Sequence, residues 1–524
     1  MRRFNVTGTC ISDEDYMVDI TSKLKQIKAM VDDKAYFTIN RGRQYGKSTT
    51  LFHLRYFLAN EYTVIHLKFE GLGQATFSNE EKFCRAFLEM IEEALEATGH
   101  PESEQEKWIN KSVDDFRSLG RHIRKVCKST DIKYVLMIDE VDKASNHLVF
   151  LDFLGKLRDK FLGRREGTDF TFHSVILAGV YDIKNIKLKM IREGVYVPTN
   201  AETSFYNSPW NIATSFNVDM SFSAEEIETM LNEYEADHKT EMDIASTAMA
   251  IYKYTGGYPV LVSSICKYID ENLEKNWSLS GINQAINLVL KEDSPLFDSL
   301  KKNLSSNKEL SEMIYDILMR GNRWPFTFDN LLVGLGIRYG YFKEAGRRVA
   351  ISNPIFEMRM TNYFVSKDMQ KKISADIDFD DHVGIVVNDI FNMQVCLEKF
   401  AKYYHEHYSE KDAEFLHDEA RYLLLFFLNS ILNGKGFVHN EDQLRDGRRM
   451  DLAVNYLKQQ FIIELKIWRG QKRHHDGYEQ LLGYMDKKGL NEGYMLTFDF
   501  NQKKQIGKGW IDIDDVRRIF DIRV

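Results

Sequence analysis

"FTINRGRQYGKSTTLFHLRYFLAN", residues Phe37–Asn60, is the stretch on which the fold turns. It passes from an apolar, strand-like segment through a polar turn into a helical pattern, the order a phosphate-binding loop requires. At such a loop Gly46 lets the backbone come close to an anion and the N–H groups of the helix start face it. Lys47 reaches the outer phosphates and Ser48 a magnesium ion, with Thr49 beside it. The full pattern has a glycine five residues before Gly46; here that position is Arg41, and Gly42 follows one place later.

A second segment, "YVLMIDEVD" (Tyr134–Asp142), is an apolar strand ending in two acids. Asp139 is placed to hold a hydrated magnesium while Glu140 polarises an attacking water. Both features occur in the order expected of an ATP- or GTP-binding protein. Around them, "AYFTIN", "YTVIHLKF", "YVLMIDEVD" and "HSVILAG" alternate with long helical stretches over the first 220 residues, which predicts a parallel sheet covered by helices.

At 524 residues the chain exceeds one core, and length predicts roughly three or four domains. Apolar content of 44% and charged content of 28% describe globular material, and a net charge of −8 argues against a generally basic nucleic-acid binder while allowing a local basic groove. The five cysteines lack metal-ligand spacing, which favours a reducing compartment. The N-terminus has no apolar run behind its arginines, and the longest apolar stretch, from Tyr422, is too short to span a bilayer. The expectation is a cytoplasmic protein with no membrane partner.

From "SFSAEEIETML" to about residue 295 the periodicity is mainly helical, with Ser223 opening a capping box. Short helices then precede "GYFKEAGRRVAISNPIFEMRMTNYF", two short strands about a Gly-Arg-Arg turn and a further helix, consistent with a winged helix. The expected divisions are an ATPase core over 1–222, a helical lid over 223–295, a winged-helix-like unit over 296–368, a helical linker over 369–411 and a last α/β domain over 412–524.

In that last domain "GRRMDLAVNYLKQQFIIELKIWRG" (Gly447–Gly470) reads as a hairpin with a turn near Lys458. Glu464 and Lys466 lie two apart and therefore on one strand face, while Ile463, Leu465 and Ile467 occupy the other. If the strands pair, Asp451 and Glu464 converge as oxygen ligands for magnesium, with Lys466 to orient or deprotonate water and offset charge on a phosphorane-like transition state. The alternative is an edge-strand ion pair. Next to it, "KIWRGQKRHHDG" gathers Arg469, Lys472, Arg473, His474 and His475 near Trp468, either a backbone-phosphate grip or a solvated loop.

These motifs carry a resemblance. Residues 1 to about 365 look like bacterial AAA-like ATPases related to the STAND and AAA+ groups, whose phosphate loop often reads Arg-Pro-Arg-Arg-Phe-Gly-Lys-Ser; the equivalent here is "RGRQYGKS". The resemblance makes the absent first glycine a family habit. It gives Gly257 and Pro259 of "GGYP" a place in a lid near the nucleotide, beside their simpler reading as a helix-breaking turn. It also suggests Tyr181 or Asp182 as a polar sensor, and Arg192 or Arg359 as an arginine finger or sensor. Asp451 followed by Glu464-x-Lys466 resembles the PD-(D/E)XK nuclease superfamily over about 412–524. That likeness implies an additional metal ligand at Glu419, or else Asp418, and supporting roles for Gln480 and Tyr484. The implied function is an ATP- and Mg2+-dependent nuclease under nucleotide control, acting on nucleic acid, DNA ahead of RNA, self-associating, in bacterial defence or mobile-element control. The alternative is an ATPase switch or scaffold whose nuclease-like domain binds without cutting.

Overall fold

The computed structural model describes residues 2–524 apart from 111, 145–146, 181–209, 321, 373–383, 408–416, 433–434, 441–451, 469 and 500–506. The four apolar runs form strands β1 (Tyr36–Asn40), β2 (Thr63–Lys68), β3 (Tyr134–Asp139) and β4 (Ser174–Gly179). They pair in parallel in the order β1-β4-β3-β2. β3 and β4 are buried along their whole length, so both faces must be apolar and the alternation typical of a half-exposed strand is absent. One face packs on α1 (Thr21–Asp32) and α2 (Lys47–Leu58). The other packs on α3 (Glu80–Glu96), α5 (Phe116–Lys128) and α6 (Leu148–Arg165), with the one-turn α4 (Glu102–Gln105) beside α3.

A helical array follows: α7 (Ala224–His238), α8 (Ile244–Thr255), α9 (Pro259–Asn272) and α10 (Leu279–Lys291). The capping box at the start of α7 is formed, Ser223 Oγ accepting from the Glu226 N–H at 3.2 Å and Glu226 Oε2 from the Ser223 N–H at 2.9 Å. The N-terminal arm is bound into this array, with the Phe4 and Tyr16 rings 5.1 and 5.2 Å from Tyr234. Next come α11 (Pro295–Ser306), α12 (Lys308–Tyr315), α13 (Leu331–Arg338), the hairpin β5 (Phe342–Ala345) and β6 (Arg348–Ile351), and α14 (Pro354–Lys372).

Two expectations need correction. The 368/369 division falls inside α14, and 369–411 is not purely helical. It contains the hairpin β7 (Val386–Val387) and β8 (Ile390–Phe391) before α15 (Met393–His407). That hairpin is fastened to the C-terminal sheet, the Phe391 N–H donating to Gln459 Oε1 at 2.7 Å and Gln459 Nε2 donating back to the Phe391 carbonyl at 3.2 Å. Phe391 buries against Tyr456 and Phe461 of that sheet while Val387 and Ile390 stay exposed, so no local pattern announces where the hairpin belongs.

The C-terminal α/β domain also holds more than the one hairpin read from its sequence. α16 (His417–Leu432), β10 (Leu452–Tyr456), β11 (Gln459–Ile467) and α17 (Gln471–Lys488) are joined by β9 (Gly436–Asn440), β12 (Glu492–Phe498), β13 (Gly507–Asp512) and β14 (Arg518–Arg523). The sheet runs β13-β14-β12-β11-β10-β9, with β11, β12 and β14 parallel. Ile463, Leu465, Tyr494, Leu496, Phe520 and Ile522 bury one face, in the same core as residues of α15 and α16. Ile462, Met495 and Ile519 bury the other against Leu481 and Met485 of α17. No helix among the described residues is long and apolar enough to cross a membrane.

Candidate functional site

Strand β1 ends where the loop 41–46 begins, and α2 starts at Lys47. The loop turns sharply through left-handed backbone at Gln44 (φ 56°) and Gly46 (φ 76°), the latter immediately before the helix. With no side-chain cap on α2, its first N–H groups are left for an anion. Lys47 Nζ folds back to donate to the carbonyls of Arg41 (3.0 Å) and Gly42 (2.8 Å). Burial lowers its pKa, opposed by Asp142, Asp139 and Glu140.

Ser48 Oγ donates to Asp139 Oδ2 at 2.6 Å, and the Glu140 N–H donates to Asp139 Oδ1 at 2.9 Å. Asp139 is buried. Glu140 takes a left-handed conformation (φ 58°), uncommon for a residue with a Cβ, at the turn out of β3. Burial raises its pKa, reinforced by Asp139 and Glu70. Phosphate loop, hydroxyl and acid pair thus meet at one edge of the sheet, outside the carboxyl ends of its strands.

The remaining nucleotide-site expectations divide. Arg41 donates to the carbonyls of Asn40 (2.9 Å) and Val218 (3.0 Å) and lies 5.6 Å over Phe216, so its guanidinium braces the loop. Thr49 Oγ1 accepts from the Cys10 N–H at 3.2 Å, and His53 Nε2 lies 3.1 Å from the Cys10 carbonyl, which docks the N-terminal arm on α2. A Cβ on Gly42 would come within 2.6 Å of the Tyr339 carbonyl. Gly257 has φ 70°, and a Cβ there would meet the Phe222 carbonyl at 1.8 Å. Pro259 opens α9 with its ring 3.8 Å from the position a Gly46 Cβ would take. Between them the Tyr258 hydroxyl donates to the Arg43 carbonyl at 2.5 Å, and its ring stands edge-on to Tyr45 at 4.5 Å. The "GGYP" segment therefore touches the phosphate loop directly.

A cleft with about 800 Å³ of empty space, mostly apolar in lining, opens between the loop, α9 and the N-terminal arm, with Val6, Tyr16, Val18, Tyr45, Met230 and Pro259 in its walls. Sequence reading passed over the arm. Its only signal was the spacing of Phe4 with Val6 and of Tyr16 with Val18, too short a pattern to distinguish from a tail. Tyr181, Asp182 and Arg192 lie outside the described residues. Arg359 is engaged elsewhere, donating to the carbonyls of Leu290 and Glu292 (3.2 Å to the latter) and lying 4.6 Å over Phe297.

In the C-terminal sheet Glu464 is 1% exposed, and burial pushes its carboxyl up to about 7 against the opposing pull of Lys466. Lys466 Nζ pairs with Glu464 Oε1 and donates to Gln480 Oε1 of α17 at 3.1 Å. Glu464 Oε2 is buried without a hydrogen-bond partner among the described residues. Gly477 makes room for this lysine, since a Cβ there would sit 2.9 Å from Lys466 Cε. Tyr484, one turn beyond Gln480, is buried among Ile462, Leu481 and Met485. Asp451 and Arg469 lie outside the described residues, as do the side chains of Asp418, Glu419, Lys472 and Arg473. Leu452, the first residue of β10, pairs with Ile463. Among the described residues no group of three or more His, Cys, Asp or Glu is placed to hold a metal. Sequence reading missed Asp521 and Arg523, which come from the last strand and reach this region only through sheet pairing.

Comparison with known proteins bears on the first two thirds of the chain. No curated protein matches it in sequence. Among solved structures it is similar to the Walker-type ATPase of Pyrococcus abyssi, with 11% identity, a TM-score of 0.45, and 68% of this chain and 99% of that one covered. It is also similar to the ORC2 protein of Aeropyrum pernix in its ADPNP–ADP complexes, with 11% identity, a TM-score of 0.35 and coverage of 71% and 98%. The sequence profile of the AAA-like domain matches residues 16–358, more than half of the chain and inclusive of the phosphate loop, the acid pair and the "GGYP" segment. The chain belongs to the AAA-like domain family.

Proposed function

We propose that the protein binds and hydrolyses ATP at the edge of its parallel sheet and uses the nucleotide state to govern a magnesium-dependent phosphodiesterase in its C-terminal domain. The observation that carries the first half is the 2.6 Å bond from Ser48 Oγ to Asp139, formed beside Lys47 and Glu140. A serine hydroxyl against a buried carboxylate is an oxygen donor set suited to a hard cation, so Ser48 and Asp139 are the residues that would hold magnesium. Bound there, the cation would offset the charge of the phosphate oxygens. Lys47 neutralises the outer phosphates, Glu140 orients the attacking water and accepts its proton, and the cleft beside the loop offers an apolar lining to a flat aromatic base.

The second half rests on Glu464. A buried carboxylate oxygen lacking a partner, on a strand face shared with Lys466, is an expensive arrangement for a purely structural pair. It fits a cation, with Glu464 and Asp451 as the proposed ligands and Glu419 in support. The metal would supply charge stabilisation on the scissile phosphate. Lys466, steadied by Gln480, orients the water and offsets charge on the transition state, and the water's proton passes to solvent. DNA is the proposed substrate ahead of RNA, with a winged-helix role for residues 296–368, self-association and a cytoplasmic bacterial setting in defence or mobile-element control.

Nucleotide control has a physical route. Tyr258 contacts the phosphate loop through Arg43 and stands 5.1 Å from Phe356 of α14, which packs against β9 of the C-terminal sheet. The test is incubation of the full chain with plasmid, single-stranded DNA and RNA plus Mg2+ or Mn2+, with and without ATP. Cleavage by wild type that Glu464→Gln abolishes, and that Glu140→Gln changes in its ATP response, is the expected result. Equal survival of every substrate with both proteins refutes the phosphodiesterase and leaves a switch or scaffold that binds without cutting.

A further inference from the structure

The carboxyl ends of β11, β12 and β14 hold a second cluster of polar residues beside the Glu464–Lys466 pair. Sheet register sets Lys466 opposite Thr497, and Thr497 opposite Arg523. All three belong to the face covered by α17, since Ile462, Met495 and Ile519 on the same strands bury that face. Two strand spacings separate the Cα positions of Lys466 and Arg523, roughly 10 Å. Over this row α17 lays its first turns. His474 Nε2 is 2.9 Å from Asp521 Oδ2, Tyr478 OH donates to the same oxygen at 2.7 Å, and His474 Nδ1 is 3.5 Å from Thr497 Oγ1.

Asp521 Oδ2 thus fixes His474 and Tyr478, while its Oδ1 is buried without a hydrogen-bond partner among the described residues. Arg523 is not engaged with either oxygen. It forms no ion pair among the described residues, and its guanidinium carbon lies 3.5 Å over the Trp468 ring. Trp468 and Arg523 are both half-buried, and the His474 ring stands edge-on to the indole at 5.2 Å. The cleft they border is lined also by Gln471, His475, Tyr478 and the Asp521 carboxylate, and it opens to solvent. A cation spared from carboxylates and held against an indole, at the carboxyl edge of parallel strands, is equipped for a phosphate and a flat aromatic group together.

We propose that this cleft seats single-stranded nucleic acid next to the bond presented to Glu464 and Lys466, with Arg523 on a backbone phosphate and the Trp468–Arg523 stack against a base. The cleft takes its direction from the proposed phosphodiesterase, so it rests on that reading. It differs in being a binding subsite that needs neither metal nor turnover.

The experiment measures binding of a fluorescein-labelled 20-nucleotide oligo(dT) to the full chain by anisotropy in EDTA, across a salt series. Arg523→Gln should weaken binding about tenfold and lower the slope of log K against log salt by about 0.7, the share of one single-strand phosphate contact. Trp468→Leu should weaken binding about fivefold with little change in slope. Arg518→Gln, at the far end of β14 and paired with Glu492, removes the same charge and should stay within twofold. Each variant is checked for wild-type thermal unfolding. Arg523→Gln binding no worse than Arg518→Gln, or no oligo(dT) binding by wild type, overturns the subsite. Magnesium-dependent cleavage by wild type and its loss in Glu464→Gln, measured separately, report on the phosphodiesterase. A chain that binds through Arg523 yet never cuts refutes that activity and retains the subsite; one that cuts but binds independently of Arg523 does the reverse.

Discussion

Ser48 Oγ reaches Asp139 Oδ2 at 2.6 Å, joining the first turn of α2 to the carboxyl end of β3 across 91 positions of sequence. The acid is buried and its other oxygen accepts only the Glu140 N–H among the hydrogen bonds described here. Removing the hydroxyl therefore strips a buried carboxylate of one of two partners. Ser48→Ala should cost about 1–3 kcal/mol of stability in urea titration without nucleotide. It should also abolish the added stabilisation that Mg·ATP gives the wild type.

The roles proposed for Lys47 and Glu140 separate binding from turnover. Lys47→Ala removes the cation proposed to face the outer phosphates and should weaken ATP binding on the order of a hundredfold. Glu140→Gln keeps the shape of the site but not the base, so nucleotide affinity should stay within a fewfold while hydrolysis falls at least a hundredfold. Fluorescent-nucleotide titration beside phosphate release distinguishes the two.

Gly42 is fixed by space. A methyl group there would lie 2.6 Å from the Tyr339 carbonyl and 3.2 Å from the Tyr258 hydroxyl, both outside the parallel-sheet unit. Gly42→Ala should destabilise the chain by about 1–3 kcal/mol. Tyr258→Phe, which loses the bond to Arg43 without adding bulk, should cost about 1 kcal/mol and loosen ATP binding.

The buried pair in β11 is asymmetric. Lys466→Met leaves Glu464 buried without its cation and should lower stability by about 3 kcal/mol in metal-free buffer. Glu464→Gln removes the buried charge and should be nearly neutral, and combining it with Lys466→Met should recover most of the loss. A double-mutant cycle by urea unfolding measures this.

His66, at β2, has its pKa lowered by burial from 6.5 to about 4, against a smaller opposing effect of Asp139. The folded chain resists protonation there while the unfolded chain accepts it from pH 6.5 downward. Stability from this group is complete above pH 6.5 and declines as pH falls toward 4, by roughly 2 kcal/mol at pH 5. His173, lowered to about 4 for the same first reason but more exposed, adds a smaller loss over the same window. Urea titrations at pH 7 and 5 should show the decline, and His66→Asn should reduce it.

Short-range pattern made much of the candidate nucleotide site legible. The strand-turn-helix order around Gly46, Lys47 and Ser48 and the acid pair at the end of β3 are local, because phosphate binding uses backbone N–H groups of consecutive residues. The same holds for Glu464 and Lys466, whose shared face follows from a period of two. Where Gln480 stands against Lys466 could be suggested only by resemblance.

The rest was settled by packing. Arg41 opens the loop expected to bind nucleotide, and its guanidinium is held by the carbonyls of Asn40 and Val218. Gly42 stands where the resembling loops carry proline, and the Tyr339 carbonyl occupies the space beside it. Nothing near Val6 or Tyr16 announced a cleft beside the phosphate loop, and nothing near Asp521 or Arg523 tied the last strand to His474 and Trp468. The sequence by itself determined the local backbone paths that bring charge to the end of a strand. Tertiary structure alone decided which distant groups meet those charges, because the cost of burying a polar group depends on partners that arrive from other elements.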